Sequence, residues 1–177
     1  MRWVATSLAV LGLALGVLAG CGDDEKVVTD TGANGQKTVR TVPDIKFAKT
    51  KFVIHAGLAF GAFHRYIYKP YKEGKFRSGA SGRKRAFVKA GLAGLFAYHE
   101  LKVARKDALA DDTLRRRLLP LIDRLSDKFS LLAAAFKGGS FNPGDVLAAE
   151  GALSTLKGEA SSDGANIKDR SAPLPGG

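Results

Sequence analysis

Three histidines, His55, His64 and His99, are the residues of this 177-residue sequence best suited to hold a metal or haem, or to move a proton near neutral pH. His55 and His64 are nine residues apart, about 900° around a helix, so they face opposite sides and cannot share one ion. If the segments carrying His55 and His99 form an antiparallel hairpin, His55 lies level with about Phe96. His99, with Glu100 beside it, then falls within one helical turn of His55. His55, His99 and Glu100 are therefore the candidate set for a metal- or haem-binding redox bundle. That set is poor in carboxylates, and neither a Glu-x-x-His pair nor a Cys-x-x-Cys-His haem-attachment motif is present. Polar residues satisfied at the edge of a core are the simpler reading of the pair, and His64, next to Arg65 and Tyr66, is expected on a basic surface. Gly-x-Ser-x-Gly, phosphate-loop, dinucleotide and zinc-protease motifs are all missing, so the sequence assigns no catalytic residue and no cofactor, and favours a non-enzymatic protein.

Cys21 is the only cysteine, which leaves no intramolecular disulfide and no cysteine cluster for zinc or iron–sulfur. It ends an N-terminal pattern with three parts: the basic start Met1-Arg2-Trp3, the apolar run Val4 to Val17, and Leu18-Ala19-Gly20-Cys21. The run is shorter than the roughly 20 residues that span a bilayer. This pattern resembles the signal peptide and lipobox of bacterial lipoproteins. The resemblance implies removal of residues 1–20 and a diacylglyceryl group on the Cys21 sulfur. It also implies a protein lipid-anchored at the extracytoplasmic face of the cell membrane. Two acyl chains hold a protein stably where one does so marginally.

Residues 21–43 are polar, glycine-bearing and aperiodic to the eye, and predict a flexible tether; residues 158–177, ending Pro-Leu-Pro-Gly-Gly, predict a disordered tail. Between them, residues 44–157 predict an all-α domain, an antiparallel bundle of about four helices. Phe52, Ala56, Ala59, Phe60, Phe63 and Ile67 make one apolar stripe in a first helix, with Asp44 as its expected N-cap and Pro70 as its stop. A second runs from Arg83 to about Ala108, with Phe87, Val88, Gly91, Leu92, Leu95, Phe96 and Val103 expected on its inner side. A third carries Leu114, Leu118, Leu121, Leu125, Phe129, Leu132 and Phe136 behind Asp111-Asp112, with a kink or break expected at Pro120. A fourth starts at Asn142-Pro143. The absence of a clear alternating pattern argues against a sheet. Gly57, Gly61, Gly91 and Gly94 sit in helix interiors, where each costs about 1 kcal/mol relative to alanine, and so predict close helix–helix approach.

The chain carries a net charge of +11, concentrated between Lys46 and Lys137, where 21 Lys and Arg face 7 Asp and Glu. The densest part is the connection after the first helix, expected to be a mobile loop. There Lys69, Lys72, Lys75, Arg77, Arg83, Lys84 and Arg85 are interleaved with Tyr66, Tyr68, Tyr71 and Phe76, and Arg115-Arg116-Arg117 forms a second cluster. Such a pattern can bind nucleic acid, but export would place the domain away from it. The abundant polyanions outside a bacterial membrane are anionic lipid and wall polymer. Each basic residue near an anionic surface contributes about 1 kcal/mol of attraction. The sequence thus predicts a basic helical binding or scaffolding module at the envelope surface, with anionic lipid, wall polymer or an acidic protein as its partner.

Overall fold

The structure, a computed structural model, describes residues 24–32 and 34–172; the residues that resemble a signal peptide and lipobox lie outside them. The described chain is mostly helical, with one two-stranded sheet. Strands β1 (Glu25–Thr31) and β2 (Lys37–Pro43) precede helix α1 (Ala48–Phe63). Next come a π-helical segment (His64–Tyr68) and the short α2 (Lys69–Lys72). The long helices α3 (Arg83–Ala110) and α4 (Asp112–Lys137) follow, and then α5 (Pro143–Ser162). Helix α3 lies against both α1 and α4, and α4 against α5. The core between them is built on Phe52, Phe60, Phe63, Leu101, Leu118, Ile122, Leu125, Phe129 and Leu153, all essentially inaccessible to solvent.

The hairpin corrects the expectation of an all-α chain behind a free tether. Val27, Val28 and Thr29 pair antiparallel with Thr41, Arg40 and Val39, and Gly35, at φ 77°, turns the chain. The pairing escapes a search for alternating burial because only Val42 is buried and both faces look polar or exposed. A lone two-stranded hairpin is marginal in water, and this one is fastened from outside. Arg115, at the start of α4, donates to both carboxylate oxygens of Asp30 and, at 2.6 Å, to Asp112. Asp44 is not an N-cap; its N–H closes the hairpin on the Asp24 carbonyl at 2.6 Å. The cap position of α1 belongs to Phe47, in the left-handed region at φ 58°.

Helix ends elsewhere follow the residue chemistry. Asp111 accepts from the N–H groups of Thr113 and Leu114 at 3.0 Å, and Asn142 accepts from Gly144 at 2.9 Å ahead of Pro143. Two proline expectations change in part. α4 does not break at Pro120, and the chain stays helical past Pro70 as far as Lys72. Ahead of Pro70 the helix widens to π geometry, with the Lys69 N–H reaching five residues back to the His64 carbonyl, which accommodates a proline that has no N–H to return.

As far as Ala172 the C-terminal segment is also not a free tail, and residues 173–177 of the expected tail lie outside the described residues. Helix α5 continues to Ser162, and residues 163–172 then form a strap across α1, with Ala165, Ile167 and Ala172 buried. The Arg170 N–H bonds the Gly57 carbonyl at 2.9 Å. A Cβ on Gly57 would overlap the Lys168 carbonyl oxygen, and one on Gly61 that of Arg170. These two glycines therefore seat the strap, not a neighbouring helix. Gly94 does serve helix packing, since a Cβ there would come within 3.0 Å of Ala133 on α4.

Candidate functional site

The expected pairing of His55 with His99 is replaced by His55 with Glu100. His55 Nδ1 lies 2.8 Å from Glu100 Oε2, and Nε2 lies 4.0 Å from Asp107 Oδ2. Both acids project from α3 toward α1, whereas His99, one residue before Glu100 and about 100° round the helix, is exposed. Burial pushes the Asp107 carboxyl above its usual range, against the opposing pull of His55, Lys51 and Lys106.

His64 opens the π-helical segment and is held by carboxylates on both sides. Nε2 is 2.9 Å from Glu150 Oε2 on α5, and Nδ1 meets Asp169 Oδ2 of the strap. Its expected place on the basic surface is thus a bridge from α1 to α5 and the strap. His64 thus has a carboxylate within hydrogen-bond reach of both ring nitrogens, whereas His55 has one at Nδ1 only, its Nε2 lying beyond hydrogen-bond distance of Asp107. Among the described residues no group of three or more His, Cys, Asp or Glu side chains is placed to hold a metal ion.

Two of the three arginines of the second basic cluster are spent within the fold, while Arg116 stays exposed. Arg115 is buried on Asp30 and Asp112, and Arg117 binds Glu159 at 3.1 Å and Asp163 at 2.8 Å. Arg115 and Asp30 reinforce one another: the hydrogen bonds raise the guanidinium and hold the Asp30 carboxyl below its usual range.

The connection from Lys69 to Arg85 behaves differently. Lys69, Lys72, Lys75, Arg77, Lys84 and Arg85 are exposed, and among the described residues none of them pairs with a carboxylate. The segment is anchored, not loose. Phe76, 3% exposed, packs into Phe87, Phe136 and Phe141 with ring centroids 4.8 to 5.4 Å away. Gly74, Gly79 and Gly82, all near φ +70°, make the turns on either side. Arg83 differs from its neighbours, being partly buried, donating to the Phe76 carbonyl at 3.1 Å and lying 4.3 Å over the Phe87 ring.

One feature at this end was not visible as a site in the sequence. Lys84, Val88, Leu92, Leu95, His99 and Lys102 fall within an 80° arc of α3 and are all exposed. This outer stripe is apolar at its centre and cationic toward its ends. The only acids of α3, Glu100 and Asp107, face inward. The sequence pattern places Val88, Leu92 and Leu95 on the inner side of this helix; the structure turns them outward, because the small residues Ala90, Ala93, Gly94, Ala97 and Ala104 face the core instead.

No protein family, no curated protein and no solved structure matches the chain.

Proposed function

We propose that this chain is a lipid-anchored extracytoplasmic lipoprotein whose helices form an antiparallel bundle, and that the bundle is a binding module lying on an anionic membrane surface. The observation that carries the reading is the outer stripe of α3 continuing into the Lys69–Arg85 segment. It presents exposed Val88, Leu92 and Leu95 between cations without carboxylate partners. A helix with an apolar strip and basic flanks lies in the plane of a lipid interface, and attraction to anionic lipid adds to its binding. From Lys84 to Lys102 the stripe is about 27 Å long, enough to meet several headgroups.

The hairpin supports the same placement. With β1 beginning at Glu25, a diacylglyceryl group on Cys21 leaves only the residues between them as leash, at most about 15 Å of extended chain. So short a leash holds the domain against the bilayer that carries the anchor. Anionic lipid is accordingly the favoured partner over wall polymer or an acidic protein.

The test is co-sedimentation of the full chain with vesicles containing phosphatidylglycerol and with pure phosphatidylcholine vesicles. Whatever the N-terminus contributes is common to both, so the difference isolates the basic face. Binding to the anionic vesicles should exceed that to neutral ones and fall steeply with salt. The quadruple change Lys69→Glu, Lys72→Glu, Lys75→Glu, Arg77→Glu should abolish the difference. Equal binding of the unaltered chain to both vesicle types overturns the reading.

A further inference from the structure

A groove opens beside the outer stripe, between α3 and the C-terminal end of α4. Its volume is about 510 Å³, and its walls are Phe87, Val88, Leu92, Leu95 and Phe136. This is within the range of small-molecule sites, and the lining is as apolar as such sites usually are. Among the described residues the charged groups lining it are all cations, Arg83, Lys84 and Lys137. Val88, Leu92 and Leu95 keep 62%, 41% and 52% of their surface exposed, a cost the fold itself does not explain.

The floor of the groove is Gly91, and its surroundings separate it from the other three helix-interior glycines. Gly57 and Gly61 seat the strap and Gly94 is pressed on Ala133, so each has a packing reason. A Cβ on Gly91 would meet only ordinary contacts, 3.6 Å from Lys137 N and 3.7 Å from Phe136 Cβ. Helix packing does not require glycine here, and the residue's effect is to keep the groove deep. An apolar trough that ends in cations fits one kind of occupant, a hydrocarbon chain bearing an anionic head.

We propose that the groove lined by Val88, Gly91, Leu92, Leu95 and Phe136 binds one acyl chain of an anionic lipid, with Arg83, Lys84 and Lys137 taking the phosphate. Arg83 is already fixed for that task by the Phe76 carbonyl and the Phe87 ring. The proposal rests on the membrane-surface reading for the source of the lipid: a domain lying on α3 has headgroups and chains directly beneath the groove. It adds a stoichiometric site where the reading above needs only a charged face.

The test uses the full chain in phosphatidylcholine nanodiscs, titrated with octyl phosphate and followed by the methyl resonances of Val88, Leu92 and Leu95. Saturable shifts confined to these methyls are expected, with octyl phosphate binding about ten-fold tighter than octanol or inorganic phosphate. Gly91→Phe, which fills the floor, should abolish the shifts. The pair Leu92→Asn and Leu95→Asn, at exposed positions where folding is not at stake, should weaken binding as well. Octyl phosphate binding unchanged by both variants, shifts spread over the whole surface, or a concentration-dependent dimer that protects the same methyls would each overturn the site. The quadruple charge reversal at Lys69 to Arg77 lies outside the groove and should leave octyl phosphate binding intact. Loss of vesicle discrimination with an intact groove, and the converse, therefore tell the two readings apart.

Discussion

At the scale of single residues, the helix-interior glycines divide by what stands over them, and their alanine substitutions should divide the same way. Gly57→Ala and Gly61→Ala force a methyl into backbone carbonyls of the strap, which cannot move aside without giving up the Arg170–Gly57 hydrogen bond. Each should destabilise the chain by about 1–3 kcal/mol. Protease cleavage should also increase within residues 165–172. Gly91→Ala removes backbone freedom from the unfolded chain and meets no tight contact, so it should stabilise by up to about 1 kcal/mol. Urea denaturation of the three variants checks the order, and a Gly91→Ala penalty as large as that of Gly61→Ala would contradict it. The sequence marked all four glycines as packing residues, which holds for Gly57, Gly61 and Gly94 but not for Gly91. It could not say which neighbour: the strap is an irregular segment whose small buried side chains, Ala165, Ile167 and Ala172, carry no period. The histidines were half legible for a related reason. Helical register placed His55 near residues 99 and 100, but which of two adjacent side chains faces inward depends on a rotation of about 100°, which the register estimate did not fix.

At the scale of elements, α4 was legible because its leucine stripe and its Asp111 cap agree, and the start of α5 because Asn142 caps as its residue type requires. α3 was legible as a helix but not in its rotation, since its inner face is the alanine and glycine side and not the one carrying Val88, Leu92 and Leu95. The hairpin was not, because its stability comes from outside its own sequence. Arg115, read as part of a basic cluster, is instead the buried anchor of Asp30. This pair has a pH consequence. A carboxyl whose folded pKa is depressed contributes stability above its unfolded value, near 4, and loses it as pH falls through the folded value. Asp30 is depressed by its hydrogen bonds to Arg115, so the chain should lose stability on acidification below about pH 4. Asp30→Asn should be less stable than the unaltered chain at pH 7 and should change less between about pH 5 and pH 2. Urea midpoints measured across that range decide it; parallel pH profiles for the two proteins would show that Asp30 is not among the groups responsible. Asp107 works in the opposite sense. Its carboxyl is raised by burial, so it favours the folded state when protonated and loses that contribution as pH rises through its folded value, which makes the Asp30 variant the cleaner probe of the acid limb.

For the whole molecule, the governing quantity is the excess of 21 cations over 7 acids between Lys46 and Lys137. The acids are mostly committed to internal pairs: Glu100 to His55, Asp112 to Arg115, and Asp123 to Arg105 at 2.7 Å. The exposed cations of Lys69 to Arg85 consequently repel one another across a rigid surface pinned by Phe76. Such self-repulsion destabilises the compact state and is screened within a Debye length of about 10 Å at 0.1 M salt, whereas the buried Arg115–Asp30 pair is screened much less. The same charges drive attraction to an anionic bilayer, which is screened as well. Salt should therefore act in opposite directions on folding and on binding. Raising ionic strength from about 20 mM to about 200 mM should increase the melting temperature while weakening association with phosphatidylglycerol vesicles. Charge reversal at Lys69, Lys72, Lys75 and Arg77 should flatten both responses together. If the melting temperature falls with salt, internal ion pairs outweigh the repulsion, and the exposed cations would not have the unbalanced field on which surface binding depends.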